Sequence, residues 1–219
     1  MAQTVGPSDQ LPDAIGRLAS DTTEVGIVVG DMFRYACAGL FMQEPESARF
    51  AMESRVWVTR AAAALDLRVR SIIQQYAPTG DEMRRIVELR HAVGEYSRIA
   101  DHSSHIADAA LILGGTGELL LQRCAPDAPE VLYTLISMVY EQMRGAFLVT
   151  AARDLNQART LVSRDAEVGD FCKALQVRLR SAIRTEPLEA ALPLQRLISV
   201  ATYMREVDTS VVAICKAVL

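Results

Sequence analysis

The chain has 219 residues, half of them apolar, and a formal net charge of −4. With a pI of about 5.5 and a mean hydropathy of +0.14, it has a large core to bury and no global basic footprint for nucleic acid. Four isolated cysteines, Cys37, Cys124, Cys172 and Cys215, without a Cys-x-x-Cys, argue against a disulfide framework or a Cys-based zinc site and for buried reduced thiols in a cytoplasmic protein.

Residues 1–9 are polar, contain Gly, Pro and Ser, and are expected to be disordered. No basic region followed by an apolar core marks a signal peptide. From residue 10 on, helical periodicity dominates and strand alternation is absent. Breaks fall at Glu44-Pro45, at Pro78-Thr79-Gly80, at Gly114-Gly115-Thr116-Gly117, across Pro126–Pro129, near Ala152–Asp154 and at Glu186-Pro187. They delimit six long predicted helices over 10–42, 46–77, 80–113, 128–152, 154–184 and 187–218. In the first, the apolar face Ile27–Phe33 fits either core packing or self-association. In the third, Ile86, Leu89, Val93, Tyr96, Ile99 and Ala100 form an apolar stripe, with Asp81, Arg84, Arg85 and Glu88 mostly off it. Asp81 and Glu82 in its first turn suit the positive end of the helix dipole. The apolar stretches Val25–Met42 and Val131–Thr150 are interrupted by Asp31 and Arg34, and by Glu141 and Arg144, so neither offers an uncharged membrane span.

The segment from Gln43 to Ile73 recurs without a gap 110 positions later, from Arg153 to Ile183. Ala48-Arg49 returns as Ala158-Arg159, Val58 as Val168 and Ala64-Leu65 as Ala174-Leu175. Arg68-Val69-Arg70-Ser71-Ile72-Ile73 returns as Arg178-Leu179-Arg180-Ser181-Ala182-Ile183. A repeat of half the chain length means a duplicated subdomain. Short connections make neighbouring helices antiparallel. The expected fold is therefore all-α, in two tandem three-helix up-down-up bundles, 10–117 and 118–219, joined through the Gly-rich segment and the Pro-bounded stretch to 129.

Two clusters carry ligand-type residues. Glu88 and His91 form one Glu-x-x-His pair, of which a ferritin-like di-iron site needs two plus further glutamates; a solvated helix face is the simpler reading. Asp101, His105 and Asp108 share a helical face beside His102, a spacing at which a carboxylate and an imidazole can share a zinc or transition-metal ion. A polar surface with i, i+4 pairs explains the same pattern. No nucleophile elbow, P-loop or dinucleotide fingerprint is present, and Gly114–Gly117 follows a helix and lacks the Gly-Lys-Ser/Thr ending.

Six helices in two duplicated three-helix halves resemble the PhoU family of phosphate-uptake regulators. Pro78-Thr79-Gly80-Asp81-Glu82-Met83-Arg84-Arg85-Ile86 is similar to the family's P-x-x-x-D-L-R-x-I. Tyr96-Ser97-Arg98-Ile99-Ala100-Asp101-His102-Ser103-Ser104-His105-Ile106-Ala107-Asp108 is similar to L-E-R-I-G-D-H-A-x-N-I-A-E. Val200-Ala201-Thr202-Tyr203-Met204-Arg205-Glu206-Val207-Asp208 is a blurred second copy. Pro78, Arg84, Arg98, Asp101 and Asp208 are the motif residues this resemblance assigns.

The resemblance also implies acidic-x-x-x-Asp pairs on the second and third helices of each half, where carboxylates four apart chelate multinuclear metal clusters. Here those positions read Arg55 and Thr59, Ser97 and Asp101, Asp165 and Gly169, and Arg205 and Thr209. For the last pair, apolar pattern and Arg98/Arg205 with Asp101/Asp208 identity give registers one residue apart. In the first register Asp101 and Asp165 alone remain, which predicts that the clusters are absent or weakened, with His105 and His102 as a substitute divalent or iron site. The resemblance implies a non-enzymatic regulator of phosphate uptake, without a cofactor. It would be a cytoplasmic homodimer, peripheral to the membrane through a phosphate ABC transporter and a membrane sensor kinase, and would not bind nucleic acid. The alternatives are a metal-binding helical protein built on Asp101, His105 and Glu88, or a divergent adaptor for another membrane transporter.

Overall fold

The computed structural model describes residues 7–41, 44–114 and 116–219. Of the expected disordered segment, residues 1–6 lie outside the described ones, as do Met42, Gln43 and Gly115. Among the described residues eight helices follow in order: α1 (Pro7–Phe41), α2 (Pro45–Tyr76), α3 (Gly80–Leu113), α4 (Gly117–Cys124), α5 (Ala128–Ala152), α6 (Leu155–Ser163), α7 (Asp165–Thr185) and α8 (Leu188–Val218). No strand occurs among the described residues.

The ends of these helices follow from local chemistry. Pro45 starts α2, and Ala77 closes it in the left-handed region at φ 44°, ahead of Pro78, which cannot continue a helix. Gly114, at φ 56°, caps α3 by donating to the Ala110 and Leu111 carbonyls. The Asp154 carboxylate accepts the Asn156 and Gln157 amides and opens α6.

Two features depart from the expected six helices. The segment read as a linker contains α4, whose Leu121 is fully buried among α1, α5 and α8; its flanking Gly and Pro residues hid one short apolar turn. The helix expected over 154–184 is interrupted at Arg164, where the amide bonds back to the Leu161 carbonyl. The periodicity nevertheless runs through the break. Ala48, Ala51, Val58, Leu65, Val69 and Ile72 are the buried apolar residues of α2. Their counterparts 110 positions on, Ala158, Leu161, Val168, Leu175, Leu179 and Ala182, are all buried on α6 and α7.

α1, α2 and α3 form one bundle and α5, α6/α7 and α8 the other. The bundles meet where α3 lies along α8 and α1 along α5, and one apolar core runs through both. Gly26 and Gly30 allow the second contact. A Cβ on either would stand 2.9 Å from the Phe147 ring, so only glycine lets that ring reach the α1 backbone. The Ile27–Phe33 face resolves as core packing: Val29, Met32 and Phe33 are buried, and Ile27 alone of its large side chains is exposed.

Candidate functional site

The faces that matter are those shared by α2 with α3 and by α7 with α8. On the first, the Arg55 Nε donates to Asp101 Oδ1 at 2.6 Å, with both side chains about half exposed. The two remaining motif hydroxyls turn onto their own helix: Thr59 donates to the Arg55 carbonyl and Ser97 to the Val93 carbonyl.

On the second, Arg205 reaches Asp165 Oδ1 and Asp208 Oδ2, each at 2.6 Å, and also donates to the Asp165 carbonyl. Its guanidinium packs over Gly169, where a Cβ would lie at an ordinary van der Waals distance of 3.6 Å from the guanidinium carbon. Asp208 is fully buried and accepts a further hydrogen bond from Gln142 Nε2, which also donates to the Leu161 carbonyl. Burial pushes the Asp208 carboxyl up from 3.8 to about 6, against the pull of the Gln142 bond and the Arg205 charge.

Burial settles the register of the last helix. Ala92, Val93, Tyr96, Ile99 and Ala100 are buried, with Gly94 and Arg98 exposed. Val200, Ala201, Met204, Val207 and Asp208 are buried in the same order, with Thr202 and Glu206 exposed. Ser97 therefore corresponds to Arg205 and Asp101 to Thr209. Asp208 is the counterpart of Ala100, facing the core, so its likeness to Asp101 in the Arg-x-x-Asp pattern is local.

The other expected ligands are separated. His105 and His102 stack on Tyr203 of α8 at ring distances of 5.0 and 6.0 Å. Burial lowers the His102 pKa, and its Nδ1 has no partner. Asp108 is exposed. Glu88 is not on a solvated face: its carboxylate is buried, 2.8 Å from Arg153 Nη2 and 3.5 Å from Arg85 Nη1. Arg85, also largely buried, donates to the Thr150 carbonyl. With the buried Tyr96–Thr150 hydrogen bond at 2.7 Å, this cluster ties α3 to the end of α5. His91 stands apart from it, 3.8 Å from Glu95. Pro78 is buried in the α2–α3 turn, Arg84 is exposed, and Arg98 pairs with Glu95 at 2.9 Å.

Sequence reasoning missed Gln142 and Arg153. The first was readable as a polar residue on the core stripe of Val139, Met143 and Ala146. The second depends on a left-handed turn at φ 55° that the sequence does not announce. Among the described residues, no three or more His, Cys, Asp or Glu side chains converge as a metal-ligand set. Each motif face offers one carboxylate already paired with a guanidinium, a donor set that does not fit a multinuclear cation cluster.

Fold and faces together define the class: a duplicated all-α bundle protein whose two equivalent helix-pair faces carry arginine–carboxylate pairs. The model of the PhoU domain family matches residues 22–110 of the chain. The fold of the chain follows that of PhoU from Pseudomonas aeruginosa (TM-score 0.87, 18% identity, covering 95% of this chain and 97% of that one). It also follows the phosphate transport system regulatory protein PhoU from Streptococcus pneumoniae (TM-score 0.82, 14% identity, covering 95% of each chain). No curated protein matches the sequence. No helix among the described residues is long and apolar enough to cross a membrane.

Proposed function

We propose that this chain is a non-enzymatic regulator of phosphate uptake. It acts from the cytoplasm by contact with a phosphate transporter and a membrane sensor kinase, and it works as a homodimer built from tandem repeats over 10–117 and 118–219. The observation that carries this reading is the match to the PhoU domain family at residues 22–110 within a bundle that follows solved PhoU structures over 95% of its length. The guanidiniums of Arg55 and Arg205 lie against the carboxylates a cluster would need, which supports a regulator that works without bound metal. Its output is then a matter of surfaces: the charged faces of α2, α3, α7 and α8 are what a transporter or kinase meets.

Deletion of the gene in its host tests the reading. Loss of the protein should derepress phosphate-starvation genes in phosphate-rich medium, with repression restored by the intact gene. Normal repression in the deletion strain contradicts phosphate control and favours an adaptor for another membrane transporter.

A further inference from the structure

The duplication supplies an internal control for the outer surface of α2. Phe50, Glu53, Trp57, Arg60, Ala64 and Leu67 are all exposed. Their spacing alternates three and four, which places them in one stripe along the helix. Their counterparts 110 positions on are Thr160, Ser163, Glu167, Asp170, Ala174 and Val177. The same scaffold thus folds with a polar, acidic stripe in the second half, and the fold does not require an aromatic one in the first. Trp57, the only tryptophan of the chain, is 42% exposed, and Leu67 is 66% exposed. Met52 and Val56 widen the apolar surface beside them. Neither Glu53 nor Arg60 has an ion-pair partner among the described residues, although they flank Trp57.

We infer that this stripe is the surface on which a second copy of the chain docks, with the two α2 helices antiparallel about a twofold axis between Trp57 and Arg60. The sequence of the stripe is complementary to its own reverse. Antiparallel pairing sets Phe50 against Leu67 of the partner subunit and Trp57 against Arg60 of the partner subunit. Glu53 falls beside Ala64 of the partner subunit, one turn from the partner's Arg60. An apolar contact, a guanidinium on an indole face and an opposite-charge pair then repeat on both sides of the axis, as an isologous interface demands. The same register on the second half would set Glu167 against Asp170 and repel. One acid and one base cancel within the stripe, which suits a self-complementary contact and not an anionic lipid surface.

The inference rests on the homodimer reading and names its surface, so the test separates the two. Sedimentation of the full-length chain across micromolar concentrations should show a dimer. Trp57→Glu should raise its dissociation constant about 30-fold or more while helical circular dichroism stays unchanged. Leu67→Glu should weaken the dimer in the same direction, which guards against a folding defect in the first variant. Val177→Glu, at the equivalent place in the second half, should leave it intact. A dimer that survives both α2 variants overturns the assignment and leaves self-association standing. A wild-type chain that stays monomeric overturns both, including one that instead binds phosphatidylglycerol vesicles through Trp57.

Discussion

The α2–α3 face and the α7–α8 face hold equivalent places in the two halves, yet they carry the same kind of ion pair with its charges exchanged. In the first half the arginine is on the second helix and the acid on the third, Arg55 to Asp101; in the second half Asp165 faces Arg205. The first pair is half exposed and stands alone. The second is anchored, because Arg205 also closes on the buried Asp208, which Gln142 holds from α5. Beneath both, the apolar residues keep one spacing. The scaffold therefore constrained the chain through its core positions, whereas the polar face was free to change so long as each guanidinium kept a carboxylate.

The comparison breaks first at the core if it is wrong. Leu65→Ala and Leu175→Ala remove buried side chains at equivalent positions, and each should cost about 2–5 kcal/mol in denaturant unfolding. An effect confined to one half would mean that the repeat is preserved in sequence but not in load. Arg205→Ala should cost about 3 kcal/mol, because it strands the buried Asp208 charge until that group takes up a proton. Arg55→Ala, by contrast, should cost about 1 kcal/mol or less, the range of solvent-exposed pairs. Equal losses for the two arginines would erase the difference drawn here.

Asp208 gives that difference a pH signature. Its folded pKa of about 6 lies above the ordinary 3.8, so the folded state binds the proton more tightly than the unfolded chain. The stabilisation is fully present below about pH 4 and is lost as pH rises through about 6, a swing of roughly 3 kcal/mol at most. The stability of the wild type relative to Asp208→Asn should fall over that window. The neighbouring charges Asp165 and Arg205 remain in both proteins, so the difference isolates Asp208. A gap that does not vary with pH would show that folding leaves the Asp208 carboxyl at its ordinary pKa.

Legibility divided along the same line. The core was readable because spacing alone reports it: the stripe from Ile86 to Ala100 and the pairs Val58/Val168 and Leu65/Leu175 are buried as their periodicity implied. The polar positions were harder because residue type does not state burial. Glu88 and Arg85 read as surface charges, yet Arg153, 65 residues beyond Glu88, lets both leave water as a group. One of the two registers open in the sequence set Asp208 against Asp101, because each follows an arginine by three residues. Helix packing turned one outward and the other into the core. Helix α4 was concealed by its Gly and Pro borders, and the break at Arg164 leaves the apolar period untouched, so no pattern marked it.

The proposal that the Arg55–Asp101 and Arg205–Asp165 pairs leave no carboxylate free for a metal is tested most directly by elemental analysis of the purified wild-type chain after incubation with iron(II) or zinc and desalting. Metal far below one ion per chain is the expected result. Stoichiometric metal that survives desalting and is lost in Asp101→Ala or Asp165→Ala would contradict it, since those carboxylates would then be holding cations and not Arg55 and Arg205.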